Sequence, residues 1–432
     1  TLGAYADVTL GYKDFLYLNG AVRNDWSSTL EKENQSIFYP GGSLSFIPTS
    51  AFENITSSGG LNYLKLRFGY GTSAGFPLAY GTRNTLALTS RLLVDNSGNV
   101  LSGNGVNDRL GNPNLKPETV SEFEVGMDSK FFNNRLGLNV SVYKRKSKDL
   151  ITDQNLDPSS GYTVTRINAG ELESQGIEVD LDVNVLRNSE GLNWNVSGNF
   201  FADESTVTKL PEGVTRIALT GRIGGTVANY AVEGQPYGVL MGNAVLRTNG
   251  ERTVNSSGDY ILNTGLNDIV GDPNPDFTTS LNNLITYRGF SFNMNWQYRH
   301  GGDIFSQTTG SLVGRGVVDG TVNDIQTTTT RIYFNNLGFG ADEFLVYDGT
   351  TLRLNEVSFG YAFPKKFLEK TPFGTLSLTV SGSNMWYKAF NFPDNVRFDT
   401  NNLSTGVGNG QGIDFISGPS SRRYGLTVKA TF

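Results

Sequence analysis

Residues Phe290–Arg299 read FSFNMNWQYR, and this decapeptide decides the fold. Phe290, Phe292, Met294, Trp296 and Tyr298 alternate without a break with Ser291, Asn293, Asn295, Gln297 and Arg299. A period of two places the first set on one face of a β-strand and the second on the other. The first face is large, apolar and partly aromatic. The second carries amides and a guanidinium, which a packed interior rejects unless every polar group finds a partner. A strand with hydrocarbon on one side and water on the other has this pattern.

The same alternation returns along the whole chain, in pairs of strands. Residues 4–12 reach a tight turn at Lys13-Asp14 and return over 15–23. Residues 38–47 and 61–71 form a second pair. Residues 119–130 turn at Asn133-Asn134 into a strand carrying Leu136, Leu138, Val140 and Val142. Residues 171–185 turn at Asn188–Gly191 into 192–202. Residues 276–287 turn at Arg288-Gly289 into 290–299, residues 351–363 pair with 375–385, and 422–432 is the last strand. This predicts about thirteen strands, each near the roughly 9–11 residues that a tilted spanning strand needs. Short turns alternate with long polar segments at 24–37, 73–117, 148–170, 203–275, 300–350 and 387–421. Ordinary connectors run to about 4–6 residues, so these long loops are where recognition is expected.

Composition narrows the class. The chain has 432 residues, 52 of them Gly, 27 Phe and 19 Tyr, and a mean hydropathy of -0.28. No stretch reaches the roughly 18 apolar residues of a spanning helix. Charged residues make up 18%, against about 25% in soluble domains. The net charge of -6 opposes nucleic-acid binding, which needs clustered cations. Without cysteine there is neither a disulfide framework nor thiolate chemistry. An open sheet edge in hydrocarbon leaves unpaired backbone groups, and bacterial single-chain barrels use even strand numbers. The expectation is therefore that residues 1–432 are the C-terminal part of a longer barrel protein, with an export signal upstream of Thr1.

Candidate chemical sites are sparse. His300 is the sole histidine, which is too little for a catalytic triad, and it reads as a polar rim residue. Glu178, Asp180 and Asp182 share one strand face, about 7 Å apart, as a lumen lining rather than a cation site. Lys144, Arg145, Lys146 and Lys148 follow the apolar band of their strand, placed to meet outer-leaflet lipid phosphates or to snorkel. The glycines around Gly103-Asn104-Gly105 and Gly408–Gly412 lack the lysine and the strand–loop–helix setting of a phosphate loop. Asp272, Asn274 and Asp276 alternate with Pro273 and Pro275 and read as a rigid turn rather than a calcium loop. Trp386 reads as an interfacial girdle residue, while Phe390 and Phe392 are open to girdle, ligand or partner roles. No catalytic residue, metal ligand or cofactor is assigned.

Several stretches carry a family resemblance. GNPNLKPE at Gly111–Glu118, NAGELESQGIEVDL at Asn168–Leu181 and VEGQPYGVLMG at Val232–Gly242 are three of them. VGDPNPDF at Val270–Phe277, GGDIF at Gly301–Phe305, YDGTTLRLNEVSFGYAFP at Tyr347–Pro364 and the aromatic-ended Arg422–Phe432 complete the set. In this order they resemble the C-terminal barrel portion of SusC/RagA-type TonB-dependent transporters. The resemblance implies an all-β, transmembrane antiparallel barrel of about 22 strands, with short periplasmic turns and long extracellular loops. It implies a plug coupled to TonB, a SusD-like surface lipoprotein as lid, and a dimer of the two-component unit. Phe432 would then be the signal read by the barrel assembly machinery.

The function expected from all this is active import of a polar oligomer, an oligosaccharide or oligopeptide, across the outer membrane of a Gram-negative bacterium. Tyr230, Tyr237, Asp303, Phe390 and Phe392 are the candidates for substrate or lid contact. Glu178, Asp180, Asp182, Asn293, Asn295 and Gln297 are the candidates for the lumen lining. The competing readings are a passive porin or structural barrel, and a soluble β-rich carbohydrate-binding or hydrolase module.

Overall fold

The computed structural model describes the chain except at residues 58, 89–92, 95, 102, 224–226, 316–340, 393–395, 397, 402 and 404–407. Parts of the long segments 73–117, 203–275, 300–350 and 387–421 therefore lie outside the described residues.

Thirteen strands form one sheet, each hydrogen-bonded to the next in chain order. They are β1 (Leu2–Tyr12), β2 (Leu16–Trp26), β3 (Ser36–Phe46), β4 (Leu61–Gly75) and β5 (Glu118–Phe131). Next come β6 (Leu136–Lys148), β7 (Glu171–Leu186), β8 (Asn193–Lys209), β9 (Pro275–Tyr287) and β10 (Phe290–Gly301). The last three are β11 (Thr351–Ala362), β12 (Thr375–Ala389) and β13 (Arg423–Thr431). All twelve pairings are antiparallel, from β1–β2 to β12–β13. Among the described residues no helix is long and apolar enough to cross a membrane.

The turns sit where the sequence puts them, for a conformational reason. Lys13 and Asp14 take φ of 47° and 56°, and Arg288 and Gly289 take 46° and 88°. Two successive positive φ values match the right-handed twist of the flanking strands. Strand lengths are less legible. β8 continues to Lys209, so residues 203–209, expected as loop, are strand. Its pairing with β9 ends at Phe201↔Thr278. Beyond that point its partner becomes a loop segment: Tyr237 N–H bonds to Ser205 O at 3.2 Å and Val207 N–H to Gln235 O at 2.9 Å.

The register separates the two faces across the sheet. Leu138, Leu181, Gly198, Leu281, Trp296, Leu354 and Trp386 stand opposite one another from β6 to β12. One residue away, Asn139, Asp180, Asn199, Ser280, Gln297, Arg353 and Tyr387 form the neighbouring row on the other face. In the apolar row Leu181 is 36%, Leu281 44% and Trp386 41% exposed; in the polar row Asn139, Asp180 and Asn199 are exposed and Arg353 is buried. The buried hydrophobic clusters are built from the loops, joined by Val207 of β8.

Candidate functional site

Three long loops, 210–274, 302–350 and 390–422, fold onto one another over the polar face. The first contains a four-stranded sheet of its own, built from Arg216–Ala218, Ala228–Val232, Val239–Val245 and Leu262–Gly271. The second contributes Asp303–Ser306 and Val346–Asp348, which pair with each other, and the third adds Ile413–Asp414 beside Asp303–Ser306. Their shared core holds Val227 and Leu240 from the first loop, Phe305 and Leu345 from the second, and Ile413 from the third. Burying these side chains together fixes the three loops as one layer, each contributing roughly 1.5–3 kcal/mol.

Buried polar side chains set the register of that layer. Asn229 donates its amide to Gly238 O and Gln411 O, both at 2.9 Å. Asp414 accepts from the Ser306 hydroxyl at 2.8 Å and from Thr308 N–H at 3.2 Å. Asp342 accepts from Asn243 N–H at 2.7 Å. All of these bonds but Asn229–Gly238 join two loops, and each satisfies a polar group that burial would otherwise penalise.

Two arginines tie the layer to the strands. Arg299 of β10 donates to Pro273 O at 3.0 Å. Arg353 of β11 is buried against Asp399 of the third loop in a bidentate ion pair and also donates to Asn384 Oδ1 at 2.6 Å. Burial alone would raise the Asp399 carboxyl. The Arg353 guanidinium and the Asn401 N–H outweigh it and hold the carboxyl below its ordinary range. Arg299, Arg353, Gln297 and Asn295 lie on the same face, and Asn355 donates to Gln297 Oε1 at 3.1 Å.

The residues expected to touch substrate or lid fall in this layer. Tyr237 donates its hydroxyl to Asn409 Oδ1 at 3.2 Å and receives the Asn274 amide on its carbonyl at 2.9 Å. Burial, then the nearby Glu118 carboxylate, raise the Tyr237 phenol. Tyr230 lies under the Arg216 guanidinium, 5.6 Å from ring centre. Phe390 is exposed, with Lys388 Nζ 5.9 Å from its ring.

Asp303 is engaged in structure. Its N–H bonds to Asp272 O at 2.6 Å, and its carboxylate takes Asp272 N–H at 2.9 Å. Burial raises its carboxyl, a shift opposed by that N–H and reinforced by Asp348. Phe392 is only 6% exposed, packed with Ile304 and Phe398 and 4.7 Å from the Tyr347 ring. Its ring fills a loop core and presents no surface to a ligand.

The other positions are equally definite. Glu178, Asp180 and Asp182 share a face of β7 opposite Ser141, Asn139 and Gly137, and Asp182 accepts from the Asn195 amide at 3.0 Å. Asn293 stands between Leu284 and Ser358. His300 sits on the opposite face in an aromatic group, 5.1 Å from Phe277 and 6.2 Å from Tyr298. Asp272 accepts the Asn274 N–H at 3.0 Å in a local turn. Among the described residues no group of three acidic or imidazole side chains could hold a metal ion. Phe432 is 90% exposed and lies 5.3 Å from the Phe373 ring.

Sequence reasoning did not single out Arg353, Asp399, Asn229 or Asp414. Partners 46 and 108 positions apart leave no local signal. The one hint is Arg353 standing among apolar neighbours in TLRLNEV.

A meander of long antiparallel strands, apolar on one face, polar and in part covered by interlocked loops on the other, is the wall of a β-barrel of the outer-membrane type. Residues 1–287 match the family described as TonB dependent receptor-like, beta-barrel. The chain belongs to that family, and it is an outer-membrane β-barrel chain. TonB-dependent receptor P3 of Formosa agariphila is 29% identical over 99% of this chain and 45% of its own length. TonB-dependent receptor SusC of Bacteroides thetaiotaomicron is 22% identical over 60% of the chain and 27% of its own length. The structure of the RagAB peptide importer in its closed-closed state superposes with a TM-score of 0.78, at 19% identity, over the whole chain and 47% of that chain. The chain thus spans less than half the length of these relatives.

Proposed function

We propose that this chain is the C-terminal wall of an active importer of polar oligomers. Thirteen strands would form part of a closed cylinder of about 22, with the rest of the wall and a plug supplied by residues outside the chain. The apolar row then faces lipid, and Glu178, Asp180, Asp182, Asn293, Asn295 and Gln297 face the aqueous lumen. Tyr230, Tyr237, Asp303, Phe390 and Phe392 belong to the loop layer that substrate or a SusD-like lipoprotein lid would meet, with Tyr230, Tyr237 and Phe390 the more accessible of them and Asp303 and Phe392 engaged in packing the layer. A plug would couple to TonB, Phe432 would serve the barrel assembly machinery, and the importer with its lid would pair into a dimer. The work is translocation, without covalent chemistry.

The observation that supports this reading most is the interlocked loop layer on the polar face. Three loops that share one core over the polar face suit a gated importer better than a pore that stands open. The test is uptake of a labelled oligomer by cells carrying the full-length transporter, with and without a functional TonB. Uptake lost without TonB is expected. Uptake unchanged without TonB would mean a passive porin.

A further inference from the structure

The connections between the strands divide by charge. At one end of the sheet lie β1–β2 (13–15), β3–β4 (47–60), β5–β6 (132–135), β7–β8 (187–192), β9–β10 (288–289) and β11–β12 (363–374). Together they carry seven Lys or Arg against four Asp or Glu. The connections at the other end (27–35, 76–117, 149–170, 210–274, 302–350 and 390–422) carry 14 against 22, in a chain of net charge -6. Pairing divides the same way. Beside the long loops, Lys146 of β6 pairs with Glu171 and Glu173 of β7 at 2.7 and 3.1 Å, and Lys144 with Glu173 at 3.4 Å. At the short-turn end all seven cations are exposed, and among the described residues none of them forms an ion pair.

Aromatic rings of the apolar face stand beside these cations. Tyr12 and Tyr287 end β1 and β9, and the cation that follows each turns back over its ring: Lys13 Nζ and Arg288 Cζ both lie 5.3 Å from the ring centre. Next to Arg288, Phe290, Tyr361 and Phe363 form a continuous group with ring centres 4.4 and 5.0 Å apart. Ala362 N–H bonds to Gly289 O at 2.8 Å, which brings the Arg288 turn to the start of the 363–374 connection. There the one-turn helix Lys365–Leu368 buries Leu368 and leaves Phe367 68% exposed.

These features select a partner. An exposed cation in water needs no counter-charge, but these stand where an apolar, aromatic-edged face ends. At that level a membrane protein meets lipid headgroups. Rings settle among them, long cationic stems reach for phosphate, and a guanidinium takes a phosphate bidentately. A zwitterionic headgroup would bring its own cation to a rim that already holds an excess, so an anionic one is favoured. We propose that the rim formed by 288–289 and 363–374 docks an anionic phospholipid of the periplasmic leaflet, its phosphate on Arg288, Lys365 and Lys366 and its acyl chains along Phe290, Tyr361 and Phe363. Such docking needs only a lipid-spanning wall with its short turns in the periplasm, and is independent of the cargo.

The experiment uses the full-length transporter in mild detergent, with lipid binding followed by native mass spectrometry. The probes are dioleoyl phosphatidylglycerol and dioleoyl phosphatidylcholine, which differ only in headgroup. Phosphatidylglycerol is expected to bind at least about tenfold more tightly, a preference that shrinks as ionic strength rises. The triple change Arg288→Gln, Lys365→Gln, Lys366→Gln should bring the two lipids to within about threefold of each other. Removing the same number of charges at the opposite rim, by Lys144→Gln, Lys146→Gln and Lys148→Gln, should leave the preference in place. Heat-modifiable gel migration checks that each variant still forms the barrel, and Lys366→Gln alone, in an exposed turn, should lower the preference part of the way. Equal affinity for the two lipids in the wild-type protein overturns the docking surface. Equal loss in the two triple variants overturns it too, because net charge rather than place would then set the binding. Wild-type transporter without heat-modifiable migration overturns the spanning wall itself, and the docking surface with it.

Discussion

At the scale of single residues, the two faces of β10 differ in what they tolerate. Met294 stands on the apolar face, opposite Asn283 and Val357, and Asn295 on the polar face, opposite Asn282 and Glu356. Met294→Arg places a guanidinium against hydrocarbon near mid-strand, at a cost of about 2–4 kcal/mol. Asn295→Arg adds a charge to a face that already carries Arg299 and Arg353. The first substitution should reduce the amount of heat-modifiable barrel recovered from outer membranes, and the second should not. Equal losses would mean that the faces are assigned the wrong way round. The Arg353–Asp399 pair gives a second contrast. Asp399→Ala leaves a guanidinium buried without its counter-charge, which costs about 3–5 kcal/mol. The Asn401 N–H, which bonds to Asp399 Oδ1 at 3.0 Å, is the natural reporter and should lose protection from hydrogen exchange. Because the folded Asp399 carboxyl lies below its ordinary value of 3.8, the pair stabilises the loop fully above that value. Stability is lost as the pH falls through the lower, folded value. Protection at Asn401 should therefore be flat from neutral pH down to about 5 and then decline; a decline that begins near neutrality would assign it to another group.

At the scale of elements, the hairpins were legible and the loops were not, for one reason. A spanning strand must repeat its alternation over the full width of the hydrocarbon, so the signal accumulates over ten residues or so. FSFNMNWQYR does this, and so does NVSVYKRKS beside GIEVDLDV. Tight turns add their own mark, since few residues tolerate two successive positive φ values. A loop strand such as Ala228–Val232 or Ile413–Asp414 is too short to show a period, and the partner of Ile413–Asp414 lies in another loop. Its position follows from long-range packing around Phe305 and Leu240, which no local pattern encodes. The same contrast predicts where hairpins break. Gly289 has φ of 88°, and a Cβ there would sit 2.6 Å from Ala362 O, a backbone atom that cannot swing away. Gly289→Val should cost about 1–3 kcal/mol and slow assembly of the β9–β10 hairpin, measured as accumulation of unfolded protein on a cold-loaded gel. Arg288→Gly, at the preceding position, relieves a strained φ and should assemble at least as well as the parent. If both behave alike, turn conformation does not limit assembly.

At the scale of the whole molecule, the two outermost strands govern what these residues can do by themselves. β1 and β13 flank the sheet, and among the described residues neither has a partner on its outer side. In water such an edge is tolerable, because solvent satisfies its amides and carbonyls. In hydrocarbon each unsatisfied group costs several kcal/mol, and about half the groups of each edge strand face outward along the sheet. The penalty is far larger than the few kcal/mol by which an ordinary domain is stable, so lipid and an open thirteen-stranded sheet are incompatible. Residues 1–432 exported on their own should therefore yield no heat-modifiable, protease-resistant species in the outer membrane. Co-expression with the preceding part of a full-length relative, so that its strands can pair with β1 and β13, should restore one. A stable species from residues 1–432 alone would require the sheet to close on itself or on a second copy. Crosslinking cysteines placed in β1 and β13 would tell these apart: linkage within one chain means self-closure, and linkage between chains means a shared barrel.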